Sequence, residues 1–238
     1  MAGEGQRFLN QGYDVPKPLI EVDGLPMIIQ AAKCLPDADN WVFICRKEHI
    51  ELYNIDLTLN KYFNNSKIIS IDRLTEGQAI TCLLAKNHLK KDDILTIGAC
   101  DNGMSYNEKT FKQLCYNNDA IIWTFKNNKS VLKDPYMYGY VDVDNTGKAK
   151  KVSCKKPISN DPINDHTIVG AFTFSKAEYF ISNTEKIISK KIKINNEYYL
   201  DTVMNECIKS GLSVSTLETD QYHCWGTPSD LLEYNENT

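Results

Sequence analysis

Residues 3–19 have the sequence GEGQRFLNQGYDVPKPL, which combines a glycine-rich loop with two cations. Glycines let the backbone curl so that several N–H groups point at one anion. Arg7 can bind two phosphate oxygens through its guanidinium, and Lys17 supplies a compact charge between two prolines. The segment therefore predicts a phosphate site in an α/β fold. The alternative is an ordinary surface turn with two solvated cations.

Glycine-rich phosphate loops in α/β folds follow a buried strand. Here only Met1 and Ala2 precede Gly3. Either the sheet lacks its first central strand, or the true start codon lies upstream. We favour the upstream start, because loss of a central strand would expose apolar neighbours and unpaired backbone groups.

Apolar segments alternate with helical patterns along the chain. Strands are predicted at 19–22, 41–45, 67–71, 93–98, 120–125, 168–174 and 212–218, and a hairpin at 138–154. Helices are predicted at 26–35, 77–89, 107–117, 176–190, 198–210 and 227–234, with one or two short helices at 47–63. The alternation up to residue 130 is typical of a doubly wound, mostly parallel sheet, and the hairpin adds antiparallel strands. The sequence therefore predicts an α/β fold with a Rossmann-like mixed sheet.

The composition excludes several classes of protein. The chain has 238 residues, 42% hydrophobic and 24% charged, with a net charge of −4, so no global basic field attracts nucleic acid. No apolar run is long enough for a membrane span, and no signal peptide is recognisable. The eight cysteines form no C-x-x-C pair and no zinc spacing with the four histidines. Buried free thiols in a cytoplasmic protein are expected.

Two more loops carry polar groups. Residues 75–79, TEGQA, open a predicted helix, for which Thr75 is a candidate cap. Asp101, in GACDNG at 98–103, follows an apolar strand, where open α/β sheets place their ligands. A carboxylate there suits Mg²⁺, which takes one or two carboxylates plus phosphate oxygens. The alternative is a turn-forming aspartate before Asn102-Gly103.

These segments together resemble the sugar-phosphate nucleotidylyltransferases, the NTP-transferase family, whose loop has the form G-x-G-x-R followed by P-K. Residues 1–28, MAGEGQRFLNQGYDVPKPLIEVDGLPMI, are particularly similar to a branch found among capsule and cell-surface sugar genes. The resemblance implies a GT-A-like nucleotidyltransferase fold and Mg²⁺ as cofactor. It also implies one domain, 1–238, with a nucleotide-binding half at 1–130 and an acceptor-binding half at 131–238.

The resemblance implies roles for individual residues. It assigns the triphosphate to Gly3, Gly5, Arg7 and Lys17, and places the backbone of Ala2 and Gly3 by the base. Gly77 and Ala79 fit the family's packing against the base, and Glu76 or Gln78 could read its edges. The nucleotide-binding residues are therefore Ala2, Gly3, Glu4, Gly5, Gln6, Arg7, Lys17, Glu76, Gly77, Gln78 and Ala79. It assigns the metal to Asp101. The phosphorylated acceptor is assigned to Gly139, Lys156, Gly170, Glu197 and Asp201, with Lys156 on its phosphate. Arg7, Lys17, Asp101 and Lys156 are the expected catalytic residues.

Two positions depart from the family pattern. Lys155 stands where many members have the glutamate of E-K-P, so a neutral hexose becomes a less certain acceptor. Cys224 stands where many members have a second metal-binding aspartate, and a thiol is a poor Mg²⁺ ligand. Asp220 or His223 could act in its place, or Asp101 and the phosphates could suffice.

The resemblance implies transfer of a nucleoside monophosphate from an NTP to a small phosphorylated metabolite, with release of pyrophosphate. CTP and GTP are the favoured donors, and the acceptors considered are a sugar phosphate, phosphocholine and a phosphorylated amino acid. Two alternatives stay open: a catalytically impaired nucleotide-binding homologue and an NDP-sugar glycosyltransferase. Neither nucleic acid nor membrane is an expected partner, and a homodimer is compatible with the sequence.

Overall fold

The computed structural model describes Gly3 and residues 5–237. The chain forms two compact units, which interleave along the sequence. The first unit contains residues 1–75, 98–104 and 223–238, and the second contains 76–97 and 105–222. The predicted halves, 1–130 and 131–238, instead follow the order of the chain. That division of a single domain stays a prediction.

The described residues form short strands and helices in alternation. The strands are β1 Glu21–Val22, β2 Leu25–Pro26, β3 Val42–Arg46, β4 Lys67–Ile71, β5 Leu95–Ile97, β6 Asn102–Ser105, β7 Ala120–Phe125, β8 Tyr140–Val143, β9 Ala149–Ser153, β10 His166–Phe174, β11 Val214–Glu218 and β12 Gln221–Cys224. The α-helices are α1 Gln6–Leu9, α2 Met27–Lys33, α3 Lys47–Tyr53, α4 Ile55–Tyr62, α5 Gln78–Leu83, α6 Glu108–Asn117, α7 Ser130–Lys133, α8 Ala177–Ser189, α9 Leu200–Lys209 and α10 Pro228–Asn237. Within the described part of the chain, no helix has the length and apolarity that a membrane span requires.

The second unit is built on a mixed sheet with the strand order β11-β7-β10-β8-β9, in which β5 also pairs with β10. Strand β7 is parallel to β11, whereas β10 is antiparallel to β5, β7 and β8. The mixed α/β sheet is therefore confirmed. Every residue of β7, sequence AIIWTF, is buried, as expected for a strand covered on both faces.

Strand β10 can serve three neighbours because it is long and bent. Its pairing with β7 shifts register between Ile168 and Phe172, and Gly170 lies inside that shift with φ 96°. A positive φ is strained for residues with a side chain, so glycine suits this β-bulge. Residues 166–167 of β10 pair with β8, and residues 172–174 pair with β5. The bend therefore lets the two ends of β10 pair with different strands, β8 at its start and β5 at its end.

The first unit places its elements with local turn chemistry. Strands β1 and β2 form a hairpin across Asp23 and Gly24, whose φ values of 48° and 76° are those of a type I′ turn. Pro26 then precedes α2, and Met27 and Ile29 of that helix are fully buried. Strands β3 and β4 form a separate parallel pair.

Several sequence-based boundaries need correction. The strand predicted at 19–22 is only two residues long, because prolines on both sides of Lys17 favour a 3₁₀ turn over Lys17–Leu19. The helix predicted at 77–89 ends at Leu83 and is followed by a 3₁₀ turn. Strands β6 and β12 pair with each other and were not predicted; each is only four residues long.

The cysteines are free, as expected, but their burial is uneven. Cys45 and Cys207 are buried, and the other six are half-buried. Burial raises the pKa of the Cys45 thiol to about 11. Cys45 and Cys207 are thus components of the packed interior.

We predict that Gly103→Ala destabilises the first unit through contact with Trp225. A Cβ at position 103 would lie 2.6 Å from the six-membered part of the indole ring. Overpacking of this kind costs about 1–3 kcal/mol in the free energy of unfolding, measured by urea denaturation. Phe lacks the contacted atoms, so the same substitution in a Trp225→Phe background should cost less than half as much. Equal costs in the two backgrounds would contradict the contact.

Candidate active site

An ion pair between Lys17 and Asp101 lies at the centre of the first unit's polar residues. Lys17 Nζ donates hydrogen bonds to Asp101 Oδ2 at 2.6 Å and to the Gly226 carbonyl oxygen at 2.8 Å. The side chains of Lys17 and Asp101 are 16% and 31% exposed, so both charges are partly removed from water. Three segments that are distant in sequence therefore meet at one ammonium group.

The two partners hold each other in their charged forms. Burial by itself would lower the pKa of Lys17 and raise the pKa of Asp101. The attraction between the opposite charges, with the hydrogen bond, outweighs burial, so the pKa of Lys17 is raised and that of Asp101 is lowered. At neutral pH the site therefore contains a carboxylate and an ammonium.

The glycine-rich loop packs against the stem of Lys17. Gly5 has φ 64°, and a Cβ there would lie 3.1 Å from the Lys17 Cβ. Phe8, on helix α1, is 1% exposed, and Lys17 Nζ lies 5.5 Å from the centre of its ring. A glycine at position 5 and an aromatic residue at position 8 thus set the position of the cation.

The remaining loop residues lie differently. Arg7 is exposed on α1, and Gln6 donates its side-chain N–H to Asn10 Oδ1. Gly3 is exposed. Ala2 and Glu4 lie outside the described residues. Within the described part of the loop, the structure therefore brings Lys17 to Asp101 and Gly5 to the stem of Lys17.

The segment 224–230 closes the site from the carboxyl end of the chain. The backbone N–H of Trp225 donates a hydrogen bond to the Asp101 carbonyl oxygen at 2.9 Å. A Cβ on Gly226 would lie 3.4 Å from Cys224 Sγ and 3.7 Å from Asp101 Oδ2, so the thiol and the carboxylate border the same glycine. Cys224 in turn donates to Asp230 Oδ2 at 3.4 Å.

The candidates to replace the missing aspartate have other contacts. His223 packs edge-on against Tyr234, with ring centres 5.1 Å apart, and burial lowers its pKa. Asp220 belongs to the second unit, where its N–H donates to the Ser105 carbonyl oxygen. Cys224 itself has a pKa of about 11, raised first by burial and then by Asp230, so it is a neutral thiol at physiological pH.

In the second unit, residues 76–79 pair with the backbone of Tyr198. The Tyr198 N–H donates to the Glu76 carbonyl oxygen at 2.8 Å, and the Ala79 N–H donates to the Tyr198 carbonyl oxygen at 3.0 Å. Helix α5 begins at Gln78, with Gly77 at its N-cap position, so the cap suggested for Thr75 stays a prediction. The backbone pairing with Tyr198 therefore surrounds the start of the helix.

The other residues of this loop differ in exposure. Ala79 is fully buried in the core of the second unit, whereas Gly77 and Gln78 are half-buried and Glu76 is exposed. Lys193 Nζ lies 3.0 Å from Glu76 Oε2. The side chains of Glu76 and Gln78 are therefore the accessible ones.

Gly139 and Asp201 are in direct contact. A Cβ on Gly139 would lie 2.1 Å from Asp201 Oδ2, so only glycine leaves room for this carboxylate. Asp201 lies in the first turn of α9 and is 8% exposed, and Cys154 is hydrogen-bonded to it. The structure thus joins two predicted acceptor residues with a cysteine that the sequence did not indicate.

The two lysines of the KKP segment are not equivalent. Lys155 has a left-handed backbone with φ 56°, donates its amino group to the Met137 carbonyl oxygen and lies 5.6 Å from the Tyr199 ring centre. Lys156 is exposed. Glu197 is also exposed, with its side chain hydrogen-bonded to Tyr199. Tyr199 and Cys154 had no motif signal, since only the fold brings them together.

Comparison with known proteins adds to this geometry. The model of the nucleotidyl transferase family matches residues 1–238. The chain belongs to this family.

Two curated relatives match this chain over only part of their own length. "Bifunctional protein GlmU" of Methanococcus aeolicus is 23% identical over 98% of this chain and 52% of its own length. "Bifunctional IPC transferase and DIPP synthase" of Archaeoglobus fulgidus is 34% identical over 35% of this chain and 17% of its own length. The chain thus spans about half the length of the first relative and a smaller part of the second.

Solved structures share the fold. The nucleoside-diphosphate-sugar pyrophosphorylase of Vibrio cholerae has a TM-score of 0.78 and 19% identity, covering 99% of this chain and 98% of its own. The inositol-1-phosphate CTP transferase of T. maritima has a TM-score of 0.71 and 14% identity, covering 96% and 88%. At these identities the likeness establishes the nucleotidyl transferase fold.

The donor set of this nucleotidyl transferase fits one hard cation only in part. Among the described residues, no group of three or more His, Cys, Asp or Glu side chains is placed to hold a metal. Mg²⁺ needs only one or two carboxylates when phosphate oxygens complete its shell. Ionised Asp101 fits that requirement, whereas the neutral Cys224 thiol does not.

We predict a pH signature from Asp201. Burial raises its pKa from 3.8 to about 6, against the opposing effects of Lys155 and the Cys154 hydrogen bond. Because the folded-state value is above the unfolded one, folding stability falls as the pH rises from 3.8 to about 6. Relative to Asp201→Asn, the wild type should lose up to about 3 kcal/mol of unfolding free energy across this window.

Urea unfolding at several pH values between 4 and 7 measures this difference. Asp142→Asn, which removes an exposed carboxylate of the same unit, is the control. Parallel pH profiles of the unfolding free energy for the wild type and Asp201→Asn would show that burial does not raise the pKa of Asp201.

Proposed function

We propose that this chain transfers a nucleoside monophosphate from an NTP to a sugar phosphate or another small phosphorylated metabolite and releases pyrophosphate. The observation that carries the proposal is the contact of Lys17 with Asp101 and Gly226. It joins a cation from a glycine-rich loop to a carboxylate that follows a strand. We further propose that the enzyme acts in the cytoplasm and supplies precursors for capsule or surface polysaccharide, which is supported by the similarity of residues 1–28 to that branch.

The reaction is an in-line displacement at the α-phosphorus. An oxygen of the acceptor phosphate forms the new O–P bond, and the bond from the α-phosphorus to the bridging oxygen of the β-phosphate breaks. A phosphomonoester has a second pKa of about 6, so the nucleophile is already a dianion and requires no general base. The protein must instead overcome repulsion between two anions, which it does by positioning and charge neutralisation.

The residues divide this task. Arg7 and Lys17 are the proposed partners of the leaving pyrophosphate, since both are cations of the loop that packs at the site. Asp101 is the proposed Mg²⁺ ligand, and the bound cation supplies charge neutralisation at the phosphates. Lys156 is the proposed partner of the acceptor phosphate, which is supported by its exposed amino group.

The proposed base site lies in the loop at residues 76–79, and the proposed acceptor site includes Asp201. Gly77 with the side chains of Glu76 and Gln78 is the proposed base site, and CTP or GTP is the favoured donor. The T. maritima structural relative is named for CTP, which supports that choice. Gly139, Gly170, Glu197 and Asp201 are the proposed acceptor residues. Lys155, in place of the family glutamate, favours an acceptor other than a neutral hexose.

The test is a matrix of four ribonucleoside triphosphates against a panel of phosphorylated metabolites, with pyrophosphate as the readout. We expect at least one pair to turn over, and Lys17→Met and Asp101→Asn to lower its rate by about 10²–10³-fold, the usual loss for one electrostatic contact. Lys47→Met, which removes an exposed lysine of the same unit, should keep the wild-type rate. Turnover that survives in both site variants would refute these roles.

We also predict that Cys224→Asp strengthens Mg²⁺ binding. A second carboxylate beside Asp101 adds a hard oxygen ligand where the wild type has a neutral thiol. The Mg²⁺ concentration for half-maximal turnover should fall about tenfold, whereas Cys224→Ser should leave it nearly unchanged. Calorimetric titration of Mg²⁺ in the presence of the NTP measures the same affinity. An unchanged affinity in Cys224→Asp would show that position 224 does not face the cation.

A further inference from the structure

The backbone of Tyr198 joins two segments with different proposed roles. On one side, its backbone N–H donates a hydrogen bond to the Glu76 carbonyl oxygen, and its carbonyl oxygen accepts one from the Ala79 N–H. Residues 76–79 are called the base loop below. On the other side, Tyr198 stands between Glu197 and α9, the helix that carries Asp201 in its first turn. Tyr198 thus belongs to residues 196–201, called the acceptor segment below, and pairs with the base loop.

Gly77 leaves no space at this junction. A Cβ on Gly77 would lie 2.6 Å from the Tyr198 carbonyl oxygen, 2.7 Å from its nitrogen and 3.1 Å from the Glu197 Cβ. Gly77 also has φ 115°, a conformation that residues with a side chain rarely adopt. The base loop therefore lies directly against the acceptor segment, backbone to backbone.

Side chains reinforce the same junction. Lys193 Nζ pairs with Glu76 Oε2 at 3.0 Å and lies 5.0 Å from the centre of the Tyr198 ring. Tyr198 itself is 4% exposed and packs in the core of the second unit. A displacement of either segment therefore has to disturb two backbone hydrogen bonds, an ion pair and a buried ring.

We propose that Tyr198 is a positioning residue that couples nucleotide binding at residues 76–79 to the order of the acceptor segment at 196–201. The inference rests on the proposed function, because it requires a base at the first segment and an acceptor at the second. Binding that fixes residues 76–79 fixes the Tyr198 backbone through its two hydrogen bonds. The acceptor then meets a segment that is already ordered, and its binding loses less conformational entropy. By linkage, the acceptor strengthens nucleotide binding by the same factor.

Hydrogen–deuterium exchange of the full chain tests this coupling with MgCl₂ and each of CTP, GTP, ATP and UTP as probes. In the wild type, one of these nucleotides should slow exchange in peptides covering 76–83 and also 196–204, by roughly fivefold, the lower end of usual coupling factors. In Gly77→Ala, the same nucleotide should slow exchange in peptides covering 196–204 by less than twofold. Gly211→Ala is the matched control, since it has a positive φ in the same unit but nothing within 4 Å of its Cβ.

The outcomes separate the coupling from the proposed function. Protection confined to 76–83 in the wild type, or equal protection of 196–204 in Gly77→Ala, would overturn the coupling and leave the proposed function standing. No protection by any of the four nucleotides would contradict the nucleotide site itself, and the coupling with it.

A second variant keeps the test valid if Gly77→Ala does not fold. Lys193→Met removes the ion pair with Glu76 and the cation beside the Tyr198 ring but leaves both backbone hydrogen bonds, and should lower the response of 196–204 about twofold while 76–83 still responds. Lys86→Met, which breaks the exposed pair of Lys86 with Glu185, is its control and should respond as the wild type does. Identical responses in Lys193→Met and the wild type would exclude a contribution from Lys193.

Discussion

The site of the first unit depends on the ion pair of Lys17 and Asp101. Two charges that are largely withdrawn from water are stable only when each compensates the other and the remaining hydrogen bonds are made. Here the ammonium has a second acceptor in Gly226, and the Asp101 backbone is held by the Trp225 N–H. Loss of either charge would leave its partner buried and uncompensated, so the geometry around the pair must be maintained by packing. That packing explains Gly5 and Phe8, which give the loop its close contact with the lysine stem.

The elements with strong local signals could be predicted from the sequence. The apolar run at 120–125 is the buried central strand β7, and Lys67–Ile71 coincides with the predicted strand. Asp101 was recognisable because a carboxylate after an apolar strand has a known location in α/β sheets. Its pairing with Lys17 was not, because the two residues are 84 positions apart and no periodicity reports such a contact.

The parts that sequence reasoning missed depend on contacts between distant segments. Glu76 and Ala79, on either side of the start of α5 at Gln78, pair with the distant Tyr198 backbone. Cys154 reaches Asp201 only because β9 and α9 pack together. In both cases the contact joins segments far apart in the chain, which no local sequence pattern reports.

The interleaved units have a consequence for biosynthesis. The first unit takes its residues from 1–75, 98–104 and 223–238, and Lys17 finds one hydrogen-bond partner 209 positions later. A chain emerging from the ribosome therefore holds Lys17 without that partner until Gly226 has been synthesised. The second unit ends at residue 222 and has all its segments earlier. Its mixed sheet can form before residues 223–238 are synthesised, so folding of the second unit does not require the segment that contributes Gly226.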